Sequence, residues 1–335
     1  MLKRFIILFI VCLPYFRVSA VEETERARNL TRMLCKDLIG ARTPKKSIDW
    51  LWKQHIAPQN LNKKPRRYNP YHIMKKIDAI TRKIKKPSTI AQKPEHLWKN
   101  AHQSLLPYDE TRILPDLAGF FLSGNRVYTP HQEYLVTEAP MMHTLHDFWL
   151  AILGTNVRTI VALAMPTKNK KRYPAYWQEH HFPRYVDGWI IKRRDTDTTL
   201  HTSRTHPSHK IIKRTFVATK ERDTRIITHL HYENWPDHGA PAPDLFQDLL
   251  KYLDSSHPDA EIPILAHCLA GLGRAGTFVT THSLRKDIRK GTPLINIAKR
   301  IIELRAQRRR MVGTPRQYEA IYTALKKTAE QTPIT

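Results

Sequence analysis

The feature that most constrains this chain is the segment HCLAGLGRAGT at residues 267–277, which directly follows a short apolar run, Ile262–Ala266. Glycines at 271, 273 and 276 allow backbone N–H groups to converge on one point. The helical pattern that follows adds partial positive charge at its N-terminus. A strand, a glycine loop and a helix in this order form a nest that binds a tetrahedral phosphate dianion.

Two side chains of this loop suit chemistry on a bound phosphate. Cys268 stands at the rim of the nest, where the positive field favours the thiolate, which is the nucleophilic form. Arg274 can return across the loop and hold two phosphate oxygens in a bidentate fork. We therefore expect Cys268 to attack phosphorus and Arg274 to stabilise the charge of the transition state. The alternative, a structural cysteine beside a glycine turn, is the less favoured interpretation.

The residues between the nucleophile and the arginine are expected to bind the phosphate through their backbone. They are Leu269, Ala270, Gly271, Leu272 and Gly273. The loop lacks the Lys-Ser/Thr ending of nucleotide-binding glycine loops, so we do not expect it to bind ATP.

A second segment, Trp235-Pro236-Asp237-His238-Gly239, offers a proton donor. Thiolate attack on a phosphate ester requires a proton for the leaving oxygen, and Asp237 is the expected general acid. Pro236 and Gly239 suit a loop that closes over substrate, with Trp235 fixing its hinge. Alone this pattern is weak, but beside the Cys268 loop it predicts catalysis.

From about residue 96 the sequence alternates strand and helix patterns, which is typical of one α/β domain. Strands are predicted at residues 157–164, 185–192, 210–218, 225–232 and 262–266. One helix is predicted from Ala275 to Arg289. Two more should begin at N-cap and proline pairs, Thr292-Pro293 and Thr314-Pro315.

Residues 21–95 have the composition of a basic helical extension. Between Lys63 and Lys86 there are ten Lys/Arg and one acid, Asp78, and isoleucines recur at helical spacing at 73, 77, 80 and 84. The favoured interpretation is a helix that packs these isoleucines on the main domain. The alternative is a helix that binds an anionic membrane or an acidic partner. The net charge of +26 suits phosphorylated proteins, nucleic acid or an anionic membrane as partners, or a soluble protein with a generally basic surface, and charge alone does not separate these. Together with the Cys268 loop, we expect phosphorylated proteins as partners and not nucleic acid.

The first twenty residues resemble a targeting segment. Lys3 and Arg4 precede an apolar run, Phe5–Leu13, and the small residue Ala20 occupies the position of a cleavage site. The run is about half the ~20 residues that a spanning helix requires, so a membrane anchor is the less favoured alternative. We predict a signal peptide at residues 1–20, cleavage after Ala20 and a secreted protein.

Eighteen histidines raise the question of a metal site. His201, His206 and His209 are loosely spaced, and His180-His181 are adjacent, so neither group forms a compact zinc pattern. We expect no metal and no cofactor. His231 and His267 are expected to orient loops through hydrogen bonds.

These motifs resemble those of the tyrosine-specific branch of the protein tyrosine phosphatases. The resemblance covers about residues 96–326, and we place the catalytic domain that it implies at residues 96–328, between the extension and a short tail at 329–335. Further matching segments are Leu106–Arg112, Asp147–Trp149, Tyr176-Trp177, Arg305, Arg308, Met311–Thr314 and Gln317-Tyr318. The resemblance implies a twisted mixed β-sheet flanked by helices, a phosphocysteine intermediate and phosphotyrosyl proteins as substrates. It also implies substrate contacts from Gln317.

Several positions depart from the family pattern. The tyrosine that stacks on the substrate ring is replaced by His102, and the aspartate two residues later is Ser104. The hydroxyl residue after the arginine is Ala275, and the glutamine that positions the hydrolytic water is Gly313. The glutamate that braces the loop arginine is replaced near Thr167.

These losses predict a slow enzyme in which breakdown of the phosphoenzyme limits turnover. An alternative of another class is a phosphate-binding pseudophosphatase. Hydrolysis of lipid or RNA 5′-phosphates is less favoured, because the loop carries no lysine between Cys268 and Arg274. A signal peptide on such a core suggests an exported, host-directed effector.

Overall fold

The computed structural model describes residues 69–114, 117–164, 173–178, 181, 184–257, 261–292 and 295–332. The predicted signal peptide, residues 21–68 of the extension, Thr167, His180, Pro293 and residues 333–335 of the tail lie outside the described residues.

Nine strands of the described residues form one mixed sheet in the order β1-β2-β9-β3-β8-β7-β5-β4, with β6 paired to β7. Their bounds are β1 Gly124–Thr129, β2 Gln132–Thr137, β3 Thr159–Ala162, β4 Tyr185–Val186, β5 Trp189–Arg193, β6 Thr198–Thr202, β7 Lys210–Lys220, β8 Asp223–Glu233 and β9 Ile264–His267. Strands β2, β9, β3 and β8 are parallel, and the remaining pairs are antiparallel. The expected mixed sheet is confirmed.

Helices cover both faces of this sheet. Their bounds are α1 Pro70–Thr81, α2 Thr89–Gln92, α3 Pro94–Leu97, α4 Leu145–Gly154, α5 Pro243–Ser256, α6 Gly273–Arg289, α7 Ile297–Gln307 and α8 Pro315–Gln331. Helix α8 passes the boundary expected at residue 328. Among the described helices, none is both long enough and apolar enough to span a membrane.

The central strands are buried on both faces, as parallel strands between helical layers must be. In β9, Ile264 and Ala266 contribute to a core with α5 and α6, whereas Leu265 contributes to the core on the α4 side. This two-sided packing fixes the carboxyl end of β9, from which the Cys268 loop departs.

Helix α1 belongs to the packed body of the protein. Its buried residues Ile73, Met74, Ile77 and Ile80 form a cluster with side chains of α6, α7 and α8. The favoured interpretation of the isoleucine pattern is confirmed for these positions. Ile84 is an exception, because the helix ends at Thr81 and Ile84 lies in the following turn.

The prediction of one strand over residues 185–192 was wrong. The chain forms the antiparallel pair β4 and β5, which turns at Asp187 and Gly188 with φ values of 45° and 78°. Two successive residues at positive φ are what a tight hairpin requires, and Asp-Gly is a strong signal for it.

The helix expected after Thr292-Pro293 begins later. Helix α7 starts at Ile297, and the side chain of Asn296 caps it by accepting from Lys299 N at 2.8 Å. Thr292 N instead donates to the carbonyl oxygen of Asp287. The parallel prediction at Thr314-Pro315 is confirmed, since the Thr314 hydroxyl accepts from Gln317 N and caps α8.

Candidate active site

The predicted loop lies at the carboxyl end of the parallel strands, where open α/β sheets bind their ligands. It connects β9 to α6, and Cys268 within it is only 3% exposed. The loop turns at Gly271, whose φ is +66°. A Cβ atom at Gly271 would lie 2.1 Å from the carbonyl oxygen of Thr137, so only glycine fits against strand β2.

A buried arginine braces the outer side of this loop. Arg308 Nε donates to the Gly271 carbonyl oxygen at 2.9 Å, and Arg308 Nη2 donates to that of Ala270 at 3.0 Å. Its third nitrogen, Nη1, donates to Asn125 Oδ1 at 2.9 Å. Because a planar peptide directs its C=O and N–H oppositely, the N–H groups that follow these two carbonyls point away from Arg308. An anion nest requires this arrangement.

The charge of Arg308 persists despite its burial. Burial lowers its pKa to about 10, while the nearby Glu138 carboxylate and Cys268 act in the opposite direction. Arg308 is therefore a cation at neutral pH and adds positive potential beneath the loop.

Arg274 offers charged donors that the protein leaves open. The side chain is 5% exposed, and Nη1 donates to the Trp235 carbonyl oxygen at 3.0 Å. Within the described residues, Nε and Nη2 are buried and make no hydrogen bond, although Nη2 lies 3.2 Å from Asp237 Oδ1. A buried guanidinium with free donors is costly unless an anion completes it. The arrangement suits a phosphate group held by two nitrogens.

The segment around Asp237 is a tight loop with a buried base. Trp235 is buried, and its Nε1 donates to the Gly239 carbonyl oxygen at 3.1 Å. Gly239 N in turn donates to the carbonyl oxygen of Pro236, also at 3.1 Å. The Asp237 side chain is 60% exposed and faces Arg274 across the 3.2 Å contact. The structure thus brings the loop, Arg274 and Asp237 together.

Two predicted loop-orienting histidines make the expected kind of contact. His267 Nε2 lies 2.7 Å from Tyr176 Oη, and His231 Nε2 lies 3.0 Å from the Ala164 carbonyl oxygen. Burial lowers the pKa of His267 to about 4 and that of His231 to about 3. Both rings are therefore neutral at physiological pH and act as hydrogen-bonding supports.

His102 is connected to the loop through a glutamate that sequence analysis did not identify. His102 Nδ1 lies 3.1 Å from Glu138 Oε1, and Glu138 Oε2 accepts from Ala101 N at 2.8 Å. The next residue, Ala139, donates its N–H to the Leu269 carbonyl oxygen at 3.0 Å. The buried carboxylate therefore fixes both the backbone at 101 and the imidazole, whose side chain stays 34% exposed.

Gln317 lies on the other side of the loop. Its Oε1 accepts from Gly313 N at 2.7 Å, and its amide group packs directly against Gly273. The carbonyl end is thus engaged, and the amide nitrogen lies beside the backbone of Gly273 in the Cys268 loop.

Of the histidines considered as metal ligands, His181, His201, His206 and His209 are described by the structure. Within the described part of the chain, no three His, Cys, Asp or Glu side chains converge on a possible metal position. The ring centroids of His206 and His209 lie 5.1 Å apart, with the ring planes tilted by 36°.

Comparison with known proteins gives a consistent result. Residues 96–327 match the family model described as protein-tyrosine phosphatase. Tyrosine-protein phosphatase 2 of Dictyostelium discoideum is 33% identical over 213 residues, which are 61% of this chain and 54% of that protein. The protein-tyrosine-phosphatase PTP1 of Arabidopsis thaliana is 28% identical over 257 residues, 71% of this chain and 72% of that protein. Human tyrosine-protein phosphatase non-receptor type 18 is 29% identical over 250 residues, 70% of this chain and 52% of that protein. The matched region thus spans about half the length of two of these relatives.

The packing of Gly271 generates a matched pair of substitutions. Gly119 also has positive φ, +73°, but a Cβ there would meet nothing within 4 Å. Gly119→Ala should therefore cost only backbone strain, about 1–2 kcal/mol in the free energy of unfolding. Gly271→Ala adds a clash that displaces the loop, and a displacement of about 1 Å costs on the order of 10²-fold in the function of positioned groups. We expect orthovanadate, a tetrahedral oxyanion, to bind Gly119→Ala normally and Gly271→Ala far more weakly. Equal binding by the two variants would contradict this account of the loop.

Proposed function

Because the chain belongs to the protein-tyrosine phosphatase family, we propose that it hydrolyses phosphotyrosine esters in proteins through a phosphocysteine intermediate at Cys268. The observation that carries this proposal is Arg274, whose buried Nε and Nη2 make no hydrogen bond within the described residues, with Nη2 in ion-pair contact with Asp237. They belong to the helix that follows the Cys268 loop and lie beside Asp237, the expected acid. A phosphate monoester is the ligand that would use Cys268, Arg274 and Asp237 together.

In the first step, Cys268 Sγ forms a bond to phosphorus while the bond from phosphorus to the phenolic oxygen breaks. Asp237 gives its proton to the leaving oxygen. Arg274 and the backbone N–H groups of residues 269–273 hold the phosphoryl oxygens as their charge is redistributed. In the second step, Asp237 accepts a proton from water, whose oxygen attacks phosphorus and releases phosphate and the Cys268 thiolate.

Two positions favour slow turnover, one buried and one exposed. Ala275 is fully buried in the same apolar cluster as Cys268 and offers no hydroxyl to the thiolate. Gly313 has no side chain to orient the attacking water, and Gln317 already uses its carbonyl oxygen to bind Gly313 N. His102 takes the place beside the substrate ring in this proposal, with its orientation set by Glu138.

Pre-steady-state kinetics should show that formation of the phosphoenzyme is faster than its breakdown. With an aryl phosphate substrate, we expect a burst of phenol of about one equivalent per enzyme, followed by a slow steady rate. Stopped-flow absorbance measures both phases. A linear time course from the first turnover would contradict slow phosphoenzyme breakdown.

The alternative function is that of a pseudophosphatase that binds phosphoproteins without hydrolysing them. Ala275 and Gly313 are the observations that favour it. Wild type and Cys268→Ser should be compared on a phosphotyrosyl peptide, a phosphoseryl peptide and a phosphoinositide. We expect phosphate release from the phosphotyrosyl peptide by wild type alone. Equal inertness with retained peptide binding by both proteins would favour the pseudophosphatase, and preference for another substrate would change the substrate class.

We also propose that the basic segment 63–86 contributes to binding an acidic partner. Its described part borders a groove of about 600 Å³ lined by the cations Arg82, Lys85, Lys86, Arg309 and Arg310. Lys86 is neutralised by Glu110 at 2.6 Å, so the groove keeps a positive balance. The isoleucine face of α1 is buried, so the surface proposed for an acidic protein is the cationic groove that follows this helix.

This proposal predicts salt-sensitive binding of an acidic peptide. Arg82→Glu should weaken that binding, and the effect should shrink at high ionic strength. Lys75→Glu is the matched control, since Lys75 is an exposed residue of α1 that does not line the groove. Fluorescence anisotropy at two salt concentrations measures both, and equal loss in the two variants would point to net charge alone.

For residues 1–20, we propose export through a cleaved signal peptide, followed by action on another cell as an effector. The support is the charged start, the short apolar run and Ala20. Expression of the full chain in its source cells should yield extracellular protein that begins at Val21 by N-terminal sequencing. Cytosolic protein with an intact Met1 would overturn this proposal.

A further inference from the structure

The hydroxyl of Thr314 joins the Asp237 loop to helix α8. Thr314 Oγ1 donates to the carbonyl oxygen of His238 at 3.0 Å and accepts from Gln317 N at 3.2 Å. A hydroxyl has one donor and two acceptor sites, so both bonds form together. The same atom therefore caps a helix and holds the residue that follows Asp237.

The loop is thus held on both sides of the carboxyl group. Before Asp237, the Trp235 carbonyl oxygen accepts from Arg274 Nη1 at 3.0 Å. After Asp237, the His238 carbonyl oxygen accepts from Thr314. These two bonds come from different elements, α6 and the start of α8. They fix the peptide segment from which the carboxyl group projects.

The side chain of Asp237 has little packing of its own. It is 60% exposed, and its contacts are Arg274 Nη2 at 3.2 Å, His238 N at 3.1 Å and His238 Nε2 at 3.7 Å. His238 itself is 82% exposed and has a φ of +56°, a conformation that is strained for a non-glycine residue. A strained and exposed segment keeps its conformation only when bonds from outside determine it. The Thr314 hydroxyl supplies one of them.

We propose that Thr314 is a positioning residue for the general acid, which holds the His238 carbonyl so that Asp237 faces the leaving oxygen. This inference rests on the proposed phosphatase activity. Thr314 forms hydrogen bonds with His238 and with Gln317. The bond to His238 acts on protonation of the leaving group, whereas the bond to Gln317 N acts through the helix cap, which Thr314→Asp preserves. In this role the residue at position 314 must both donate to the His238 carbonyl oxygen and accept from Gln317 N.

The consequence is a dependence on the leaving group. A phenol with the pKa of tyrosine, near 10, leaves poorly as an anion and requires the proton. An electron-poor phenol, such as a nitrophenol, leaves readily without it. Loss of the Thr314 bond should therefore slow the first ester and spare the second. General damage to the fold or to phosphate binding would slow both.

The experiment compares kcat/KM for a phosphotyrosyl peptide and for a nitrophenyl phosphate. The proteins compared are wild type, three variants of Thr314 and the reference variant Asp237→Asn. The ratio kcat/KM reports the steps through phosphoenzyme formation, so slow breakdown of the intermediate does not mask the effect. Thr314→Val removes the donor and the cap. Thr314→Asp keeps a good helix cap but cannot donate when ionised. Thr314→Ser keeps both bonds and is the conservative control.

We expect Thr314→Val and Thr314→Asp to lose roughly three- to tenfold with the phosphotyrosyl peptide, the range set by one neutral hydrogen bond. With the nitrophenyl ester they should change less than about twofold, and Thr314→Ser should match wild type on both. Asp237→Asn serves as the reference, with the same selectivity and a larger loss of about 10²-fold or more. Thermal unfolding separates the cap from the acid loop, because Thr314→Asp should retain the stability that Thr314→Val loses.

Equal losses on the two esters, or no loss on either, would overturn the role of Thr314 while leaving the phosphatase intact. Recovery of wild-type selectivity in Thr314→Asp would show that capping alone matters, which also overturns it. If wild type hydrolyses neither ester, the proposed function itself fails and the positioning role falls with it.

Discussion

The candidate site depends on a positive charge buried where no solvent can stabilise it. The guanidinium of Arg308 is 1% exposed, and an unpaired charge at such a position would be prohibitively costly. The protein satisfies it with the carbonyl oxygens of Ala270 and Gly271 and with Asn125 Oδ1. The same bonds that stabilise the charge hold the loop open for an anion. Stability of the core and shape of the site are therefore one requirement.

A second arginine connects the two halves of the chemistry. Arg274 uses Nη1 to hold the Trp235 carbonyl oxygen and leaves its buried Nε and Nη2 for the ligand. Because the guanidinium is planar and rigid, an anion that orients it also orients the peptide that precedes Asp237. In the proposed reaction, phosphate binding and the placement of Asp237 are therefore coupled through the Arg274 side chain. On the other side of Asp237, Thr314 at the capped start of α8 holds the His238 carbonyl oxygen.

The parts of the site that sequence could predict are those encoded locally. The Cys268 loop was identifiable because strand, glycines, arginine and helix follow one another within a few residues. Local patterns also failed: Thr314-Pro315 caps a helix and Thr292-Pro293 does not, although the pairs are identical. The difference lies in Asn296, whose side chain takes the cap four residues later.

The supports of the site could not be predicted in this way. Arg308 reaches loop carbonyls 37 and 38 residues away, and Glu138 meets His102 across 36 residues. These contacts depend on the order of strands in the sheet and not on spacing along the chain. Sequence analysis also missed strands β1 and β2 and helices α4 and α5. Only the fold shows that β1 supplies Asn125 to Arg308. A buried charged residue whose partners lie far away along the chain leaves no local sequence signal.

Helix α1 lies before the region that matches the family model, yet it is bonded to residues that support the Cys268 loop. The family match begins at residue 96, yet Asp78 of α1 accepts from Arg305 Nη1 at 2.6 Å. Arg305 also donates to the carbonyl oxygens of Met311 and Val312, and Val312 N donates to Leu272 in the Cys268 loop. The carboxylate of Asp78, outside the matched region, is thus linked through Arg305 and Val312 to Leu272 in the Cys268 loop. Substitutions in α1 should therefore reach the Cys268 loop through these hydrogen bonds, and a fragment cut at the start of the family match would lose the contact between Asp78 and Arg305.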